Sequence, residues 1–378
     1  MTTEVVSLLR SLVAIDSVNP SLSEGAAGET LAAHAVRAWC EARGIETTWL
    51  EATPGRPSVV ARVPGSGGGR SLMLNAHLDT VGVAGMASPF EPRSDGGRLY
   101  GRGTMDMKAS VAACLVALER LQGAGLAGDV LFTAVADEEH ASLGTLEVLG
   151  HYGADAAIVT EPSGLDLHVA HRGFVVLEAT IHGLASHTSQ PHRGANAVAA
   201  MGRALVALEE IDDGLRRARA HPRLGHGSLQ GVLIEGGREL FTTPDRCVLQ
   251  VERRTLPGED GQTALADVET ALAAAVAGDD RLSATAHVTV ERAPFEVADD
   301  APIVLAAERA LRARTGRAPS RLGAPYWMDA ALLAAAGIPT VVVGPLGGGI
   351  HAADEWVDVG SVETLALVLD DVARAWCA

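Results

Sequence analysis

Short apolar runs alternate with helix-periodic segments through the first part of this chain, and that alternation narrows the available folds more than any other property of the sequence. Pro57–Val63, Ser71–Ala76, Val130–Ala136 and Ala156–Thr160 read as strands, while Met107–Leu121 carries apolar residues at helical spacing. Strands that are apolar along their whole length must be covered on both faces, so an α/β fold with a mostly parallel sheet flanked by helices is predicted. The pattern returns near the end, with helices around Pro302–Arg314, Asp329–Ala336 and Val362–Trp376 and a strand at Pro339–Gly344. Between these parts the order changes. Phe174–His182 alternates like a half-buried strand; Ser228–Glu235, Arg246–Glu252 and Ser283–Glu291 are further strands, and Asn196–Glu210 and Asp267–Ala277 are helical. The resulting order, β-α-β-β-α-β, is that of a ferredoxin-like α+β domain. We therefore expect a discontinuous α/β domain formed by residues 1–173 and 291–378, with an inserted domain at 174–290.

A length of 378 residues suits two such domains, each able to bury its own core. With 47 acidic against 30 basic residues, the formal charge of -17 repels nucleic acid and anionic membrane and points to small-molecule partners. Cys40, Cys114, Cys247 and Cys377 lie far apart without paired spacing, which argues against a disulfide framework or a thiolate metal site. The N-terminal segment MTTEVVSLLRSLVAID has helical spacing and neither a basic leader nor a small-residue cleavage site. Elsewhere the apolar runs fall short of the roughly 20 residues that span a bilayer. A cytoplasmic protein without membrane association is the expectation.

In an open α/β sheet, ligands gather beyond the carboxyl ends of the strands. Just beyond the ends of Ser71–Ala76, Val130–Ala136 and Ala156–Thr160 stand His77-Leu78-Asp79, Asp137-Glu138-Glu139-His140 and Glu161-Pro162. The strand Pro339–Gly344 leads through a glycine-rich stretch to His351, and Gly101–Asp106 delivers an acid just before a helix. Imidazole and carboxylate without cysteine suit zinc, with cobalt and manganese as substitutes. So many acids at one sheet edge repel one another unless cations compensate them, and two divalent ions balance the set.

The motifs His77-Leu-Asp79-Thr-Val, Gly101-Arg-Gly-Thr-Met-Asp106-Met-Lys, Asp137-Glu138-Glu139, Thr160-Glu161-Pro-Ser and His351-Ala-Ala-Asp-Glu355 closely resemble, in the same order, those of the acetylornithine deacetylase, succinyl-diaminopimelate desuccinylase and carboxypeptidase G family of dinuclear zinc hydrolases. The resemblance covers nearly the whole chain. It implies two Zn2+ per chain, one held by His77, Asp106 and Glu161, the other by Asp106, Glu139 and His351. Asp79 would orient His77 through its other ring nitrogen. Glu138 would be the general base, taking a proton from a metal-bridging water and passing it to the leaving amine. The resemblance further implies that the inserted domain is a lid that mediates a homodimer. His187, in Gly183-Leu-Ala-Ser-His187-Thr-Ser-Gln-Pro191, would donate to the oxyanion in the partner subunit. Arg254 would bind a substrate carboxylate, which its guanidinium fork matches.

Two places depart from the family pattern. Phe241 stands where asparagine is common, and Tyr326-Trp327-Met328 precede Asp329 where many relatives have smaller or hydroxyl residues. Both changes favour an apolar group in the pocket. Asp329 either supports the site or caps a helix, and Gly347–Gly349 either offers backbone donors to a carboxylate or forms a flexible turn. The implied activity is hydrolysis of the amide bond of a small N-acyl amino acid. Carboxypeptidase-like or dipeptidase-like cleavage of a short peptide is the alternative, and a non-catalytic metal-binding protein on the same fold is a more distant one. All matched positions, Glu138 included, are intact, which favours an enzyme.

Overall fold

The apolar runs fold into strands within a residue or two of their expected limits: Ser58–Val63, Leu72–His77, Val130–Val135, Ala156–Val159 and Thr340–Val342. This is a computed structural model that describes residues 3–378; Met1 and Thr2, where the predicted N-terminal segment begins, lie outside the described residues. The chain divides into two compact units. One comprises the segments up to Val169, Val297–Leu322 and Met328–Ala378, the other Ala170–Glu296 with Gly323–Trp327.

In the first unit the strand order is Glu46–Leu50, Ser58–Val63, Val130–Val135, Leu72–His77, Ala156–Val159, Thr340–Val342 and the strand beginning at Leu167. The expected parallel pairing holds for the four central strands, Val130–Val135 through Thr340–Val342. On either side the pairing is antiparallel. The connection from Leu50 to Ser58 is too short for the crossover that a parallel pair requires, so those two strands must form a hairpin. Every residue of Leu72–His77 and Val130–Val135 is buried, as strands covered on both faces must be. Helix Ala109–Leu121 packs between helices Glu4–Val13 and Val359–Trp376, and it is buried on nearly every side. A second small sheet joins Gly347–Gly348, Trp356–Asp358, Arg98–Tyr100 and Arg93–Asp95. Strands of two or three residues carry no readable period, so nothing in the sequence announced it. Gly347 and Gly348 pair with Val357 and Trp356, so this part of the glycine stretch is fixed by pairing and is not a flexible turn.

The second unit holds a four-stranded antiparallel sheet ordered Ser228–Gly236, Arg246–Thr255, Gly173–His182, Ser283–Arg292. Helices Ala197–Arg217 and Gly261–Val276 pack on it around Leu177, Ile181, Met201, Leu249 and Val268. Each helix starts at a side-chain cap, Asn196 accepting from Ala199 N–H and Asp260 from Thr263 N–H. Gly323–Trp327 joins this unit because the Trp327 indole N–H donates to Ala293 O at 3.0 Å and its ring lies 5.5 Å from the Arg292 guanidinium. Trp327 therefore serves packing in its own unit, and Met328 is 1% exposed. In a single sequence, a structural aromatic looks the same as a pocket aromatic. Among the described residues no helix is long and apolar enough to cross a membrane. All four cysteines are free and buried, and burial pushes the Cys40 and Cys114 thiols up to about 12.

Candidate metal centre

Three strand ends and two loops of the first unit converge on one cluster of two histidines and four carboxylates. His77 closes the strand Leu72–His77, Glu138 and Glu139 come after Val130–Val135, and Glu161 after Ala156–Val159. At the end of Thr340–Val342, Gly344 lets two backbones touch: a Cβ there would lie 2.0 Å from Glu161 O. His77 Nε2 lies 2.9 Å from Asp106 Oδ1 and 3.5 Å from Glu161 Oε1. His351 Nε2 lies 3.3 Å from Asp106 Oδ2 and 3.2 Å from Glu139 Oε2. Asp106 thus stands between the two imidazoles. Donor atoms of His77, Asp106 and Glu139 all fall within 4.8 Å of one another, and so do those of His77, Glu138 and Glu161.

The donor set fits divalent cations. Oxygen and imidazole donors at this spacing are the chemistry zinc accepts. Glu139 Oε1 is moreover buried with no hydrogen-bond partner among the described residues. Burial raises the Glu138 and Glu161 carboxyls well above the usual range, and neighbouring negative charges raise them further: Glu161 acts on Glu138, Asp106 on Glu161. Glu139 is raised by burial and by Asp106. Burial opposes the charge of His77, but its hydrogen bond to Asp106 and the charges of Glu161, Asp106 and Asp79 outweigh that and hold it well above the usual value. Hydrogen bonds to Asp106 and Glu139 raise His351 to about 10. The same two histidines hold Asp106 low despite its burial.

The supports of the cluster differ in part from expectation. His77 Nδ1–H donates to the backbone oxygen of Asp79 at 2.9 Å, whereas the Asp79 carboxylate is 3.6 Å away. Instead Asp79 Oδ1 accepts from Glu138 N–H and Oδ2 from Glu139 N–H, each at 3.1 Å. Asp79 therefore orients His77 by its main chain and the Glu138–Glu139 segment by its side chain, a division that the residue letter does not reveal. Asp329 precedes helix Ala330–Ala335, but its side chain makes no cap bond. It accepts the Thr145 hydroxyl hydrogen, and burial raises its carboxyl to about 6. The capping alternative is thus excluded.

Glu355, which closes the last of the motifs, has a supporting role that sequence reasoning did not assign. Its Oε1 accepts from Met105 N–H at 2.8 Å and Asp106 N–H at 3.1 Å; its Oε2 accepts from Gly103 N–H at 3.0 Å and Arg102 at 2.6 Å. Gly103 takes φ +78 beneath it, where a Cβ would lie 2.8 Å from Thr80 Cγ2. The carboxylate fixes the turn that carries Asp106. The only available signal was an acid four residues after His351.

His187 and Arg254 belong to the second unit. His187 is exposed, its Nδ1 accepting from Ser189 N–H at 3.1 Å and lying 2.7 Å from Ser189 Oγ. Arg254 pairs with Glu252 at 2.7 Å, and its guanidinium lies 5.3 Å from the Phe174 ring. Phe241 is 72% exposed at φ +69.

The model of Peptidase family M20/M25/M40 matches residues 73–375. A succinyl-diaminopimelate desuccinylase of Halorhodospira halophila is 29% identical, covering 98% of this chain and 97% of that protein. An acetylornithine deacetylase of Proteus mirabilis is 27% identical, covering 98% and 96%. Among solved structures, a dinuclear metal-binding peptidase of the M20 family from Bacillus subtilis superposes with a TM-score of 0.77 at 18% identity, covering 99% and 97%.

Proposed function

We propose, from the premise that this chain belongs to peptidase family M20/M25/M40, a metal-dependent family of hydrolases acting on C–N bonds, that it hydrolyses the amide bond of a small N-acyl amino acid. One observation carries the reading: two histidines and four carboxylates share a space of a few ångströms at the carboxyl ends of the parallel strands. His77, Asp106 and Glu161 would hold one Zn2+, and Asp106, Glu139 and His351 a second, with Co2+ or Mn2+ as substitutes. When bound, such a pair acidifies water and polarises a carbonyl.

Glu138 is the proton carrier in this reading. Burial and Glu161 raise its carboxyl above the usual range, and a carboxylate that holds no cation is free to take a proton and pass it to a leaving amine. The deacylase reading, in preference to peptidase action, is supported by relatives covered over nearly their full length and named for removing succinyl or acetyl groups. Arg254 would take the carboxylate of the amino acid. The protein acts as a homodimer in this reading, supported by Val232, Leu233 and Ile234, which are 49%, 70% and 55% exposed on the edge strand Ser228–Gly236. His187 would then serve the partner's active site. A panel of N-acyl amino acids and dipeptides, assayed with added zinc, cobalt or manganese, tests the reading. Turnover of dipeptides alone would replace deacylase by peptidase action, and turnover of nothing would defeat both.

A further inference from the structure

Glu138 is preceded by an unusual residue. Asp137 has φ +68, in the left-handed region that costs a non-glycine residue on the order of 1 kcal/mol unless its surroundings hold it there. Here they do. Asp137 Oδ1 accepts from Arg56 at 2.6 Å and from Asn19 Nδ2 at 3.0 Å, and its Oδ2 accepts from Ala141 N–H at 3.1 Å. Arg56 is in turn clasped by Glu29, with Nε donating at 2.9 Å and Nη2 at 2.6 Å. Glu29 and Asp137 are fully buried and Arg56 is 8% exposed, so solvent does not weaken these pairs. The Asn19 amide also donates to Asp79 Oδ2 at 2.8 Å, beside the bonds by which Asp79 receives Glu138 and Glu139 N–H. Two anchors thus fix the peptide on either side of Glu138, and the first of them depends on Arg56.

Asn19, Glu29 and Arg56 lie outside every motif that marked the centre. We propose that Arg56, clasped by Glu29, is a positioning residue for Glu138, acting through the left-handed Asp137. The inference rests on the reading of Glu138 as proton carrier. Residues that hold a cation are also held by it, whereas among the described residues the hydrogen bond that aims Glu138 is made by its backbone. Loss of the clasp should therefore be felt in turnover before it is felt in metal content or substrate affinity. Misplacing a reacting group by about 1 Å can cost on the order of 100-fold in rate.

The experiment is a double-mutant cycle on the metal-loaded protein, with any N-acyl amino acid that the wild type hydrolyses. Arg56→Lys keeps the charge, so Glu29 and Asp137 are not left as unpaired buried anions, but the bidentate fork is lost. Glu29→Gln, the second variant, leaves the Arg56–Asp137 contact in place and guards against a misfolded first variant. Thermal midpoint, metal content by elemental analysis, kcat and KM are read for each. Arg56→Lys should lower kcat by about 10- to 100-fold, with KM within about 3-fold and metal content unchanged. Glu29→Gln should move the same quantities in the same direction by less. In a Glu138→Ala background, neither substitution should lower kcat further. Loss of metal alongside turnover, or an undiminished effect in the Glu138→Ala background, overturns the positioning role. A wild type that hydrolyses no N-acyl amino acid instead overturns the functional reading and this inference with it, so the two failures are told apart.

Discussion

Replacing Glu355 with glutamine asks whether the turn that carries Asp106 is held by charge or by shape. The side chain is 1% exposed and its two oxygens accept four hydrogen bonds, two each. Glutamine fills the same volume. Whichever way its amide faces, however, the nitrogen confronts two donors: either Met105 and Asp106 N–H, or Gly103 N–H and the buried Arg102 guanidinium. At about 1–3 kcal/mol for each orphaned buried donor, and more where a buried charge is left unpaired, the loss is about 3–5 kcal/mol. For a cooperative unit of about 150–250 residues this is about 2–4 °C per kcal/mol, so the thermal midpoint of the chelated protein should fall by about 6–20 °C. Calorimetry of the chelated protein measures it directly. Metal titration of the same variant should show weaker binding, because Asp106 N–H is one of the donors released. A midpoint within about 2 °C of wild type would refute the view that this carboxylate builds the turn.

Glu138→Ala should retain metal and lose at least about 100-fold in kcat, while Glu139→Ala should lose metal; elemental analysis beside kinetics checks both, and the reverse pattern would exchange their roles. In the metal-free protein, His77 is held above its ordinary value by Asp106, Glu161 and Asp79 and His351 at about 10 by Asp106 and Glu139, so a proton competes with metal for each imidazole nitrogen. Metal affinity should consequently rise with pH, and titration in buffers of different ionisation heat should show net proton release on binding; zero release would contradict the ligand assignment. Mixing Glu138→Ala and His187→Ala chains and allowing exchange should restore up to about half of wild-type activity per mixed dimer. No recovery despite demonstrated exchange would remove His187 from the partner's site.

The central strands were legible because each is buried on both faces and therefore apolar throughout, and the acids beyond them stood out against that background. Leu72–His77 followed by Asp79 shows both signals in eight residues. Hidden were the features that depend on contact between distant segments. Glu29 and Arg56 carry no motif or period that marks them, yet they are buried against each other. The helix beginning at Gly261 was placed six residues late because Asp260-Gly261-Gln262-Thr263 looks like a loop until the aspartate is seen to cap it. Tertiary structure likewise assigned the two halves of Asp79, main chain and side chain, to different partners.

The bonds from Glu355 to Asp106 and Arg102 span 249 and 253 residues of sequence. The entropic cost of closing a loop grows only with the logarithm of its length, so this separation takes little from the finished protein. Its effect falls on the order of events during synthesis. Four of the six cluster residues have left the ribosome by Glu139, and Glu161 emerges soon after. The carboxylate that shapes their central turn, and His351 beside it, emerge only when nearly two hundred further residues have been added. A nascent chain therefore cannot complete the centre until its synthesis is nearly finished.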